Sequence, residues 1–219
     1  MVSSGLYAQL VGVGAGLLLL TAVLIVWRHS LRSSIRLLAV QGVGLAWLVA
    51  VIGLHAGEAA LVAVAALVGV LKAGLLPWVL ARGAAVAGVQ RDESRLNPTS
   101  SLLIVAVLTA LAYLVAGPLL AASTDPAVRA VPVGLALVLI GFLQLVTRRR
   151  ALSQLVGFLL LDNGIAAVAF LTAGGVPLVV ELGVSLDVLL VVLILRVLTS
   201  RMQAKFGGTD LDELTELRD

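Results

Sequence analysis

Apolar residues run along this chain in stretches longer than a soluble core helix needs, broken by short polar or arginine-bearing segments. A helix needs about 20 predominantly apolar residues to cross a bilayer. By that length the pattern predicts seven spans, at residues 5–27, 35–54, 59–80, 100–122, 131–147, 152–173 and 177–199. The first span has no positive segment ahead of it, so a cleaved signal peptide is not expected. Gly12 and Gly16 in that span form a small-xxx-small pattern that would seat a neighbouring helix. Arg28, Arg32 and Arg36 bracket a short loop, and 55–58 is a turn. In the third span Lys72 precedes Pro77 by five residues. Proline removes a helical hydrogen bond and frees the carbonyl four residues back, that of Ala73, which places a cation beside an expected kink. Residues 82–99 read as the longest internal loop. Asp125-Pro126 is a turn former, and Gly174-Gly175-Val176-Pro177 a tight turn between the last two spans. The tail, 200–219, is polar and ends in an acidic run.

Composition agrees with that pattern and narrows the chemistry. The chain is 61% hydrophobic and 12% charged, against roughly 45–50% apolar in a soluble domain. It has no cysteine, which excludes disulfides, Fe–S clusters and thiolate metal sites within it. Its two histidines, His29 and His55, have no carboxylate spacing of a metal site. The sequence pI near 10.0 invites a nucleic-acid reading. The arginines, however, sit between apolar spans and not along one polar face, so no nucleic-acid partner is expected. Their distribution predicts orientation instead. With the N-terminus outside, twelve of the fifteen Lys and Arg fall on one side and only Arg129 on the other, Lys72 and Arg196 lying within spans. The expected fold is therefore all-α, a polytopic membrane helix bundle of about seven spans, N-out and C-in.

Five ionisable residues lie inside the predicted spans besides the chain's flanking charges. A charge near the bilayer centre costs about 3 kcal/mol on insertion scales, and such residues usually face the protein interior. Arg196 is within a turn of its span's inner end and can snorkel. Lys72 is near mid-membrane. It reads either as half of a buried ion pair joining two helices or as a proton-carrying lysine balanced by a nearby acid. Asp162 lies at similar depth, either as a helix contact with Asn163 or as a proton carrier, and Asp187 is near the middle of the last span. Glu181 is a turn inside the outer end and shares a face with Ser185 by i,i+4 spacing, while Asp187 points elsewhere. One cation and several acids at mid-depth suit a proton or ion path. No nucleophile–base pair, phosphate loop or metal set suggests catalysis on an organic substrate.

The runs Gly157-Phe158-Leu159-Leu160-Leu161-Asp162-Asn163-Gly164-Ile165 and 176–189, with Glu181-Leu182-Gly183 and Asp187, resemble the hydrogenase-4 component E family. So does the ending 211–218. These are membrane subunits of formate hydrogenlyase and related group 4 [NiFe] hydrogenases. The C-terminal third is similar, more distantly, to the K subunit of respiratory complex I and to the C subunit of Mrp-type antiporters. In the K subunit two glutamates on adjacent helices carry the proton path. Asp187 falls at the position of the second and Asp162 close to the first, though an Asp stands where the family's acid-Asn pair has Glu. The Lys72-to-Pro77 spacing is similar to the broken-helix lysine of large antiporter-like subunits.

The resemblance implies a four-helix region over 1–130, a K-subunit-like three-helix unit over 131–200 and a cytoplasmic tail over 201–219. It implies a multi-pass subunit of a prokaryotic cytoplasmic membrane, with no redox centre of its own. The [NiFe] centre and Fe–S clusters would belong to partner subunits. The partners would be antiporter-like and complex I H-subunit-like membrane chains and a peripheral hydrogenase arm. On this reading Lys72, Asp162, Glu181 and Asp187 help move protons or sodium, with Asn163, Pro77 and Ser185 in support. Two other classes stay open: an antiporter subunit or stand-alone transporter, and a structural membrane scaffold whose acids are buried helix contacts.

Overall fold

A computed structural model describes residues 4–28, 30–87 and 97–173. Among them are six helices long and apolar enough to cross a membrane. The chain is an all-α, multi-pass bundle. Lipid offers the backbone no hydrogen-bond partners, so a lone apolar segment must satisfy its own N–H and C=O groups as a helix. The seventh expected span, the acidic tail and residues 88–96 lie outside the described residues.

The first two crossings are α1 (Ser4–Trp27) and α2 (Leu31–Ala56). The third is built from α3 (Ala59–Val68), a π-helical stretch (Gly69–Leu75) and α4 (Leu76–Ala87). The remaining three are α5 (Pro98–Ala122), α6 (Val131–Thr147) and α7 (Ala151–Ala173). Two boundaries differ from the apolar count. α2 begins at Leu31, which puts Arg32 and Arg36 on its first turns. α4 continues through Arg82 to Ala87, where a loop was expected. Arginine is a good helix former and its long stem carries the charge outward, so a helix can outrun its apolar stretch.

The turns follow from their residues. Gly57 takes φ 71° at the end of α2, a left-handed conformation that costs a residue without Cβ nothing. Its N–H and that of Glu58 both donate to the Gly53 carbonyl, closing the helix. Between α5 and α6, Asp125 Oδ1 accepts the Ala127 N–H at 2.8 Å, the local bond that makes Asp a turn former.

α2 lies at the centre of the bundle. It packs against α1, α3, the π stretch, α4 and α7, while α6 lies against α7, α5 and α1. The closest seam is antiparallel, between α6 and α7. Gly134 and Gly141 of α6 and Gly157 and Gly164 of α7 face it, each pair seven residues apart. A Cβ on Gly141 would stand 2.5 Å from the Leu161 backbone nitrogen, and one on Gly164 2.6 Å from that of Val138. Without a hydrophobic force between helices in lipid, such close backbone packing is what holds them. Among the described residues nothing lies within 4 Å of a Cβ on Gly12 or Gly16. Gly14 seats α2, a Cβ on it standing 3.1 Å from Trp47 and 3.4 Å from Leu48.

At the arginine-bearing end a second polar cluster ties α1 to α6. Arg148 is 2% exposed. Its Nε donates to Gln144 Oε1 at 2.8 Å, and its Nη2 donates to the Val26 and Arg28 carbonyls at 3.1 and 3.2 Å. Gln144 Nε2 reaches the Ile25 carbonyl at 3.4 Å. A guanidinium at the C-terminal carbonyls of α1 satisfies acceptors no intrahelical donor reaches and complements the helix dipole. Trp27 and Trp78 are half exposed at the same end, with Arg28 and Arg82 over their rings at 5.8 and 4.2 Å, the placement of an aromatic interfacial belt. Charged hydrogen bonds contribute about 1.5–3 kcal/mol each. Arg148→Met is expected to lower stability by about 2 kcal/mol, read as an earlier thermal loss of the folded chain in detergent.

Candidate functional site

Lys72 lies in the middle of the π stretch, halfway along the crossing Ala59–Ala85. In a π helix each N–H reaches back five residues, as the Leu76 N–H does to the Leu71 carbonyl. Gly69 and Gly74 weaken the α preference of this stretch. Pro77 then has no N–H for the Lys72 carbonyl five residues back or the Ala73 carbonyl four back. An interruption is therefore present, but it begins ahead of the proline and spans seven residues. α2 closes over it. A Cβ on Gly42 would stand 2.5 Å from the Lys72 carbonyl carbon and 2.6 Å from its oxygen.

This packing points Lys72 at α7. Its Nζ lies 2.5 Å from Asp162 Oδ2, and both side chains are buried, at 3% and 5% exposure. Asp162 sits at the middle of α7, so the pair is at mid-depth. The next residue turns to another neighbour: Asn163 Nδ2 donates to Gln41 Oε1 at 3.0 Å, and Gln41 Nε2 donates to the Leu18 carbonyl of α1 at 3.3 Å. That carbonyl can only accept, which fixes Gln41 with its nitrogen toward α1 and its oxygen toward α7. Asn163 must then present its nitrogen. The Thr21 hydroxyl can donate to the Leu17 carbonyl, 2.8 Å away, leaving Leu18 to Gln41.

Four elements thus meet at one level: α1 through a carbonyl, α2 through an amide and a glycine, the π stretch through an ammonium, and α7 through a carboxylate and an amide. A charge this deep needs a partner and filled hydrogen bonds, since an uncompensated buried ion costs several kcal/mol. Of the residues singled out from the sequence, Lys72, Asp162, Asn163 and Pro77 are brought together here. Glu181, Ser185 and Asp187 lie outside the described residues. Gln41 and Gly42 were not among the candidates. The signal for Gln41 was its polarity within an otherwise apolar span. Gly42 gave none, one glycine among 22.

The chain matches no family model and no solved structure. Hydrogenase-4 component E of Escherichia coli K12 is 28% identical over 206 residues, 93% of this chain and 95% of that protein. The protein of the same name in Shigella flexneri matches to the same extent. Uncharacterized protein Rv0085 of Mycobacterium tuberculosis is 48% identical over 219 residues, 99% of this chain and 100% of that protein. At that identity, along the whole of both chains, this multi-pass membrane protein belongs to the same family as the mycobacterial Rv0085.

Proposed function

We propose that this chain is a membrane subunit of a complex I-like, group 4 [NiFe] hydrogenase of the hydrogenase-4 or formate hydrogenlyase type. It helps move protons or sodium while electrons pass through other subunits. The observation that carries the reading is the Lys72–Asp162 pair, buried at mid-depth and anchored through Asn163 and Gln41 to α1. An ionisable residue inside a membrane bundle is by default a candidate for an ion or proton path, with its partner named. Similarity to hydrogenase-4 component E along 93% of the chain supports the kind of complex. Glu181 and Asp187 extend the proposed path along the last span, with Ser185 in support. The chain itself holds no redox centre in this reading. The [NiFe] and Fe–S groups sit in a peripheral arm, and the neighbours are antiporter-like and H-subunit-like membrane chains in a prokaryotic cytoplasmic membrane.

Gentle purification through a tag on the chain is the test. Other polytopic subunits and an Fe–S-containing arm are expected to come with it. A stable monomer that transports ions alone in liposomes would replace the hydrogenase reading with the transporter. Orientation is checked separately. The Lys and Arg asymmetry predicts that Asp219 lies in the cytoplasm, and a reporter fused there that works only outside the cell would reverse it. The ion pair also suits a scaffold. That reading wins if Lys72→Met/Asp162→Asn leaves an assembled complex pumping at the normal rate.

A further inference from the structure

We propose that the outward face of α5 around Tyr113 and Leu114 is the docking site for a transmembrane helix of another subunit, one that carries a hydrogen-bonding side chain at mid-depth. The inference rests on the reading that this chain is one subunit of a membrane complex, and it names the surface and the chemistry of what sits there. Four of the 25 residues of α5 are buried, Ser101, Val105, Ala112 and Ala116. They form a single stripe, and α5 lies against α6 and, less closely, α1. In α6 nine of 17 residues are buried. On the opposite side of α5, Leu103, Val107 and Leu114 stand 68%, 60% and 75% exposed. Leucine and valine there would suit lipid as well as protein. Two polar groups on the same side do not.

The first is the Tyr113 hydroxyl. A tyrosine on a membrane helix is at home near the headgroups, where its hydroxyl meets water. Tyr113 is 45% exposed and lies nine residues inside the end at Ala122, about 14 Å. Long side chains lean toward the N-terminus of their helix, which carries this hydroxyl toward Ala110, the midpoint of the crossing, and away from the nearer surface. The second is the Leu114 carbonyl. Pro118 lies inside the helix and has no N–H for the carbonyl four residues back. Leu114 and Pro118 share a face by i,i+4 spacing, and Pro118 is exposed, so the acceptor opens outward. Acyl chains satisfy neither group, whereas a neighbouring helix re-satisfies a carbonyl freed by proline. A second copy fits poorly. Copies inserted in the same direction meet about a twofold axis at equal depths, so carbonyl would face carbonyl. The end of α7, from which the chain continues, belongs to a helix packed on α6 and α2. A helix of a different subunit, with its own donor at the level of the Leu114 carbonyl, fits both groups.

The test uses the full chain in its own membranes. A photoreactive phenylalanine analogue in place of Leu114 is irradiated there, and the chain is then purified through its tag. The expected product is a crosslink to a polytopic subunit that also accompanies the unmodified chain. A crosslink to lipid alone, to a second copy or to residues 174–219 of the same chain would overturn the docking site. Two substitutions read the hydrogen bonds separately. Tyr113→Phe keeps the ring and loses the donor. It is expected to lower retention of that subunit about three- to tenfold and to leave the melting of the chain alone unchanged. Pro118→Ala returns an N–H to the Leu114 carbonyl. It is expected to act with opposite signs, raising the melting of the chain alone and lowering retention of the partner. Unchanged retention in both variants, or a parallel fall of retention and melting, would overturn the proposal. An intact complex with only lipid captured at position 114 removes this interface and leaves the subunit reading standing. Recovery of the chain alone removes both.

Discussion

Lys72→Met should destabilise the bundle by about 3–5 kcal/mol, because it leaves the Asp162 carboxylate buried without its cation. Asp162→Asn alone should cost a similar amount for the reverse reason. The double variant should recover most of the loss, since neither charge remains to be compensated. That non-additivity is the signature of a direct pair, and it separates this contact from two independent polar residues. Thermal loss of the assembled complex in detergent measures all four corners of the cycle. Additive costs would mean that the two side chains do not meet. Lys72→Arg is not expected to behave as wild type. The guanidinium is larger than the ammonium, in a site where Gly42 already touches the backbone, and it keeps its proton at any working pH. Assembly with arginine should be partial and pumping lost.

Gly141→Leu should be the next most damaging single change. Its Cβ would enter the Leu161 backbone, 2.5 Å from the nitrogen and 2.6 Å from the Cα. Backbone cannot rotate aside as a side-chain tip can. α6 and α7 must separate, which forfeits the seam and moves Asp162, the next residue along. Overpacking costs about 1–3 kcal/mol where a side chain can give, and more where it cannot, so a loss of about 3 kcal/mol or more is expected. Gly12→Leu is the control: a Cβ there meets nothing within 4 Å among the described residues, and the change should leave stability unchanged. The comparison needs only the yield and melting of each variant. Equal effects at both positions would remove the α6–α7 seam as a determinant of the fold.

The span pattern was legible because lipid permits an apolar segment little besides a helix. Residues 131–147 were placed end to end by composition alone, and 152–173 to within one residue of α7. Lys72 and Asp162 were legible as costly residues, since any charge at that depth stands out against leucine and valine. That they face each other was not. Facing depends on the rotation of each helix about its axis, and here the rotation is set by glycines that carry no chemical label. Gly12 and Gly16 matched a packing motif and pack nothing described, while Gly14 and Gly42 matched none and set the contacts of α2. The break in the third crossing was anticipated from Pro77. Its π form was not, because the choice between hydrogen-bonding four or five residues back turns on what lies alongside, and α2 lies alongside.

The partners in the central ion pair are 90 residues apart in the chain. A ribosome adds about 5–20 residues per second, so the lysine-bearing helix leaves it some 5–18 s before the aspartate is made. For that interval the growing chain holds a lone lysine at the level of the acyl tails, at a cost of about 3 kcal/mol. The apolar residues around it offset that cost and permit insertion. Until the sixth crossing arrives, the third has no acid among the described residues to hold its rotation. Biogenesis of this protein therefore has a waiting period built into it, during which an insertase or a neighbouring subunit can shelter the half-made bundle.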